Sequence, residues 1–182
     1  MKTPIMLTLC TVVLMGVLLL SGGGPVWATD ATLAITGNVV ASGCEVDTGS
    51  VDQKVKIGTF SGKDFPSVGS TSAFKAMNIN LSNCYDKLTT IQVTFSGIPD
   101  ADNPTLLAVT DTGAGETVAT GVGVELLDNS GKTIPFNEAA HQTFELDAGN
   151  NTLSFLLRYK STRYPVTAGV ASAVMYFDLT YQ

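Results

Sequence analysis

The clearest pattern along the chain is a period of two near its C-terminal end. From Ala171 the odd positions run Ala171, Ala173, Met175, Phe177, Leu179 and Tyr181, and the even ones include Ser172, Asp178, Thr180 and Gln182. Successive side chains of a strand point to opposite faces, so this spacing predicts a half-buried strand. Val174 and Tyr176 interrupt the polar face. An apolar strand in this position needs a paired neighbour, because an uncovered edge is a template for association. A second alternating segment fills Thr29 to Ala41, with Ala31, Leu33, Ile35, Gly37, Val39 and Ala41 on one face. Gly37 stands where a larger side chain is expected, which marks a bulge or a place where another backbone or a shallow pocket comes close.

Shorter alternations lie between. Val55 and Ile57 predict a short strand ending at Gly58, and Ser61 to Ser72 reads as loop. Met77, Ile79 and Leu81 predict a strand leading to Cys84, and Ile91, Val93 and Phe95 predict the next. Leu106, Leu107 and Val109 form a short apolar run. Val122, Val124 and Leu126, the turn Asp128 to Gly131, and Ile134 with Phe136 predict a hairpin. Phe144 and Leu146 form one strand, 149–151 a turn, and Leu153, Phe155 and Leu157 another strand. Eight to ten short strands and no convincing helix predict an all-β, antiparallel sandwich of immunoglobulin type.

The first 28 residues change how the rest is counted. Lys2, an apolar run from Ile5 to Leu20, a Gly/Pro break and the small residue Ala28 read as a secretory signal peptide cut after Ala28. A retained membrane anchor is the competing reading, since sixteen residues are nearly enough to span; Gly22 to Pro25 favour removal. Cys10 leaves with the signal, and an even pair, Cys44 and Cys84, remains. In an exported chain such a pair reads as one disulfide. Closing a loop of that size is worth about 4 kcal/mol in the chain-entropy picture.

Removing Lys2 leaves nine Lys and Arg against sixteen Asp and Glu, so the mature net charge is 9 − 16 = −7. This argues against nucleic acid, whose phosphates reward basic surfaces. No basic amphipathic segment suggests insertion of the mature chain into a membrane. Catalysis finds no support either. His141 is the only histidine and reads as a surface residue, no G-x-S-x-G nucleophile elbow occurs, and no carboxylate pair stands out. Two thiols and one distant histidine make no metal-ligand spacing, and no cofactor is expected.

The mature chain resembles a pilin subunit of the chaperone/usher family, in particular the type 1 fimbrial group. The residues that carry the resemblance are GNVVASGCEVDTGSVD from Gly37 to Asp52, INLSNC ending at Cys84, Gly169 as fourteenth residue from the end, and Tyr181 as penultimate aromatic. The resemblance implies an incomplete immunoglobulin-like sandwich that lacks its last strand. It divides the chain into signal peptide 1–28, N-terminal donor-strand extension 29–41 and pilin domain 42–182.

It further implies export through the periplasm to a cell-surface fimbrium. A periplasmic chaperone lends a strand to the groove, and at an outer-membrane usher the arm of the neighbouring fimbrial subunit replaces it, a case of β-augmentation. On this reading Leu33, Ile35, Gly37 and Val39 form the donor strand. Gly169, Met175, Phe177, Leu179 and Tyr181 belong to the acceptor groove and chaperone-binding strand. The alternative from another class is a secreted, monomeric carbohydrate-binding β-sandwich, whose last strand would be sealed within its own domain.

Overall fold

The computed structural model describes residues 43–111, 115–137 and 141–182. The Thr29 to Ala41 segment, with Leu33, Ile35, Gly37 and Val39, lies outside the described residues. Among the described residues eight strands form: β1 (Glu45–Val46), β2 (Lys75–Cys84), β3 (Thr90–Gly97), β4 (Leu107–Ala108), β5 (Val122–Leu127), β6 (Gln142–Glu145), β7 (Gly149–Ser161) and β8 (Met175–Tyr181). They make a five-stranded sheet in the order β1-β2-β7-β5-β4 and a three-stranded sheet in the order β6-β3-β8, with every neighbouring pair antiparallel. One four-residue helical turn, α1 (Thr48–Val51), follows β1.

The alternation read from sequence places the core. Met77, Ile79 and Leu81 of β2, Ile91, Val93 and Phe95 of β3, and Leu153, Phe155 and Leu157 of β7 are all buried in one cluster. The Phe155 ring meets Phe95 edge-on at 5.0 Å and Phe144 at 5.5 Å, joining the two sheets through aromatic contacts. The Cys44–Cys84 disulfide is formed and closes one end of the sandwich.

Three expectations are corrected. Val55 and Ile57 form no strand, although both pack on the core. Along this flank of β2, side chains take the place of a ladder: Asn80 N–H donates to Ser50 Oγ (2.9 Å) and Gln53 Nε2 donates to the Asn78 carbonyl (2.9 Å). The 149–151 turn is instead the start of β7, with Gly149 at φ 92° opposite Cys84. The return strand of the hairpin is reduced to one bridge, Leu127 to Thr133. Pro135 has no N–H to continue that ladder. The chain crosses to the other sheet instead, where Asn137 N–H donates to the Phe95 carbonyl (2.9 Å) and its side chain binds Gly97 in both directions. Ile134 and Phe136 are buried on the way.

Candidate functional site

Among the described residues, β8 is paired on one side only. Its register against β3 runs from Ile91 opposite Tyr181 to Gly97 opposite Met175, without a slip. Thr90 and Gln182 exchange both backbone hydrogen bonds, at 3.0 and 3.4 Å. In an antiparallel pair the bonding residues alternate, so the N–H groups of Tyr176, Asp178 and Thr180 face β3. Those of Phe177, Leu179 and Tyr181 face the other edge, where no strand pairs with β8 among the described residues.

Beside that edge the facing sheet offers only the two-residue β1. The gap between them includes an open cavity of about 290 Å³ lined by Val46, Val51, Met175, Tyr176 and Phe177. Met175, Phe177, Leu179 and Tyr181 point inward and pack on the core, yet each stays half-buried. Tyr181 closes one end: its hydroxyl donates to the Cys44 carbonyl (3.1 Å), and its ring lies against Gly43, where a Cβ would sit 3.4 Å from it.

The structure therefore brings together four of the five residues assigned to the groove from the sequence. Gly169 lies elsewhere, six residues before β8, packed on another backbone. A side chain there would collide with the Ala119 nitrogen and the Thr117 carbonyl oxygen, so close approach explains the glycine. The segment between Gly169 and β8 is tied down by bridges from Val118 to Val170 and from Thr110 to Ser172. The Tyr159 hydroxyl also donates to the Ala171 carbonyl (2.6 Å), and burial pushes that phenol up from its ordinary pKa.

One group escaped the sequence reading. Glu125, in the middle of apolar β5, is fully buried. Burial alone would push its carboxyl up. Hydrogen bonds from Lys160, Arg158 and Thr133, with the charge of Arg158, outweigh this and hold it below the usual carboxylate range. Arg158 Nε lies 2.5 Å from one carboxylate oxygen, and Lys160 Nζ (2.8 Å) and Thr133 Oγ1 (2.8 Å) share the other. The available signal was one acid in an apolar strand, with two cations at alternate positions of a later one. Arg158 also stacks over the Phe74 ring at 4.9 Å.

Among the described residues no group of three His, Cys, Asp or Glu side chains is placed to hold a metal ion. No helix among them is long and apolar enough to cross a membrane. His141 is exposed.

A two-sheet sandwich with an immunoglobulin-like fold, whose final strand leaves a groove at its edge, defines the class of the pilins. The model of the family described as Fimbrial protein matches residues 33–182, and the chain belongs to that family. It is 45% identical over 152 residues to an uncharacterized fimbrial-like protein of Escherichia coli, covering 83% of this chain and 84% of the other. It is 37% identical over 160 residues to the type 1 fimbrial subunit of Salmonella typhimurium, covering 87% and 86%. Among solved structures it is similar to the P pilus rod subunit PapA, with 25% identity, 78% of this chain and 100% of that chain covered, and a TM-score of 0.64. The protein is thus a fimbrial subunit.

Proposed function

We propose that this subunit polymerises by donor-strand exchange, the arm 29–41 of one copy filling the groove beside β8 of the next. The unpaired edge of β8, with its row of half-buried apolar side chains, carries this reading. Burying Leu33, Ile35 and Val39 in a neighbour is worth roughly 5 to 9 kcal/mol, at about 1.5 to 3 each. Backbone hydrogen bonds to Phe177, Leu179 and Tyr181 add to it. Gly37 passes where the groove is shallow. A periplasmic chaperone covers the same edge before assembly, an outer-membrane usher is where the exchange takes place, and the finished fimbria supports adhesion of the cell.

The geometry also separates a foreign arm from the chain's own. The polypeptide enters the domain at Gly43, beside Tyr181 at the C-terminal end of β8. Laid back into its own groove, the arm would run parallel to β8. An arm from another copy is free to run antiparallel, the slightly more stable pairing. Thermal unfolding of the mature chain lacking residues 29–41, with and without a synthetic peptide of that segment, tests the reading. The peptide should raise the melting temperature, and an Ile35→Asp peptide should not. A truncated domain that is already stable and indifferent to the peptide sinks it.

A further inference from the structure

An antiparallel donor strand fixes where the donor's own body must lie. Its C-terminal end leaves the groove at the Met175 end of β8, and Cys44 lies only five residues beyond Val39. Fully extended, that stretch reaches about 18 Å. The body of the donating subunit is therefore held against that end of the acceptor.

That end carries an apolar surface which the fold itself does not use. Gly97 pairs with Met175 at the end of the ladder; Ile98 follows the one, Val174 precedes the other, and Tyr176 lies on the exposed face of β8. Their exposures are 64%, 51% and 64%. Across the groove stands Val51 of α1, 65% exposed and lining the same opening as Tyr176. The opposite end, where Cys44 meets Cys84 and Tyr181, exposes no large apolar side chain among the described residues. Isolated exposed hydrophobics need no explanation, but a contiguous group rimming a binding groove does.

We propose that Ile98, Val174, Tyr176 and Val51 form a second contact between subunits, seating the disulfide-bearing end of the donating copy beside its inserted arm. This rests on the donor-strand reading. The contact is head-to-tail, the geometry that builds filaments rather than closed dimers. It also explains why the polar face of the terminal strand is broken at positions 174 and 176 and nowhere further along β8. The arm supplies the strand, and the patch fixes the angle between successive bodies.

The test uses the mature full-length chain carrying Ile98→Glu with Val174→Glu. Both side chains are more than half exposed, so the fold should be retained. Two quantities are read: binding of free 29–41 peptide to the monomer, and the rate at which assembled fibres fall apart in denaturant. Peptide affinity should stay within about twofold of the parent, while fibres should dissociate at least about tenfold faster. The uncharged pair Ile98→Ser with Val174→Ser should shift the same rate by a smaller factor. Fibres that dissociate at the parental rate while the peptide still binds overturn the second contact and leave donor-strand exchange standing. A parental chain that ignores the peptide brings down both.

Discussion

β3 and β8 lie side by side in one sheet, share the same apolar alternation and pair residue for residue, yet only one of them is sealed. Ile91, Val93 and Phe95 of β3 are buried, whereas their partners Tyr181, Leu179 and Phe177 on β8 are half-exposed. Burial thus depends on neighbours as well as on pattern. Among the described residues β3 has a strand on each side, and β8 has one.

The largest expected difference between the two is in backbone exchange. In the unassembled domain, the amides of Phe177, Leu179 and Tyr181 should exchange at least about a hundredfold faster than those of Tyr176, Asp178 and Thr180, since only the latter bond to β3. Hydrogen exchange read residue by residue checks this, and uniform protection along β8 would mean its outer edge is already paired. Truncation comes next. Ile91→Ala should cost about 3 kcal/mol in urea unfolding of the monomer. Leu179→Ala, on half-exposed β8, should cost about 1 kcal/mol, and more in the assembled state if an arm covers it as proposed. Equal costs in the monomer would remove the distinction.

Glu125→Gln should destabilise by about 2 kcal/mol, because it leaves Arg158 and Lys160 without their carboxylate while both keep some contact with water. The pH dependence follows from the lowered carboxyl. Its contribution is complete above the ordinary value of 4.5 and is lost as the pH falls through the lower folded value. The parent's urea midpoint should therefore drop more steeply below pH 4.5 than the variant's, and parallel profiles would show that the ion cluster contributes nothing. The smallest effect should be Tyr181→Phe, which removes one hydrogen bond to Cys44 and costs about 0.5 kcal/mol. Thermal melts in parallel with the parent would resolve it.

These contrasts mark what could be read in advance. Period-two patterning located β2, β3, β5, β7 and β8, and reading 1–28 as a signal peptide left Cys44 and Cys84 as the pair that the structure joins. The same patterning misplaced the return strand after Leu127, although Pro135 carried the correction in its missing N–H. It also assigned a strand to Val55 and Ile57, where side chains from Ser50 and Gln53 occupy the flank instead. Glu125 went unseen because a lone acid in an apolar strand reads as an interruption until its cations are known to lie on the adjacent strand. Met175, Phe177, Leu179 and Tyr181 were legible as one face, but their half-burial was not. It arises because no strand among the described residues pairs with the outer edge of β8, and no residue in β8 encodes that.

The side chains of Ser50 and Gln53 along β2 have a consequence in polymer chemistry. A monomer's valence decides whether it grows into a thread or a gel. By occupying backbone groups on β2 that a foreign strand could otherwise claim, these two residues lower the number of sites at which another chain can add. β4 and β6, at two and four residues, offer little length for pairing. A unit that gives one strand and accepts one has a functionality of two, and such units can only lengthen, never branch.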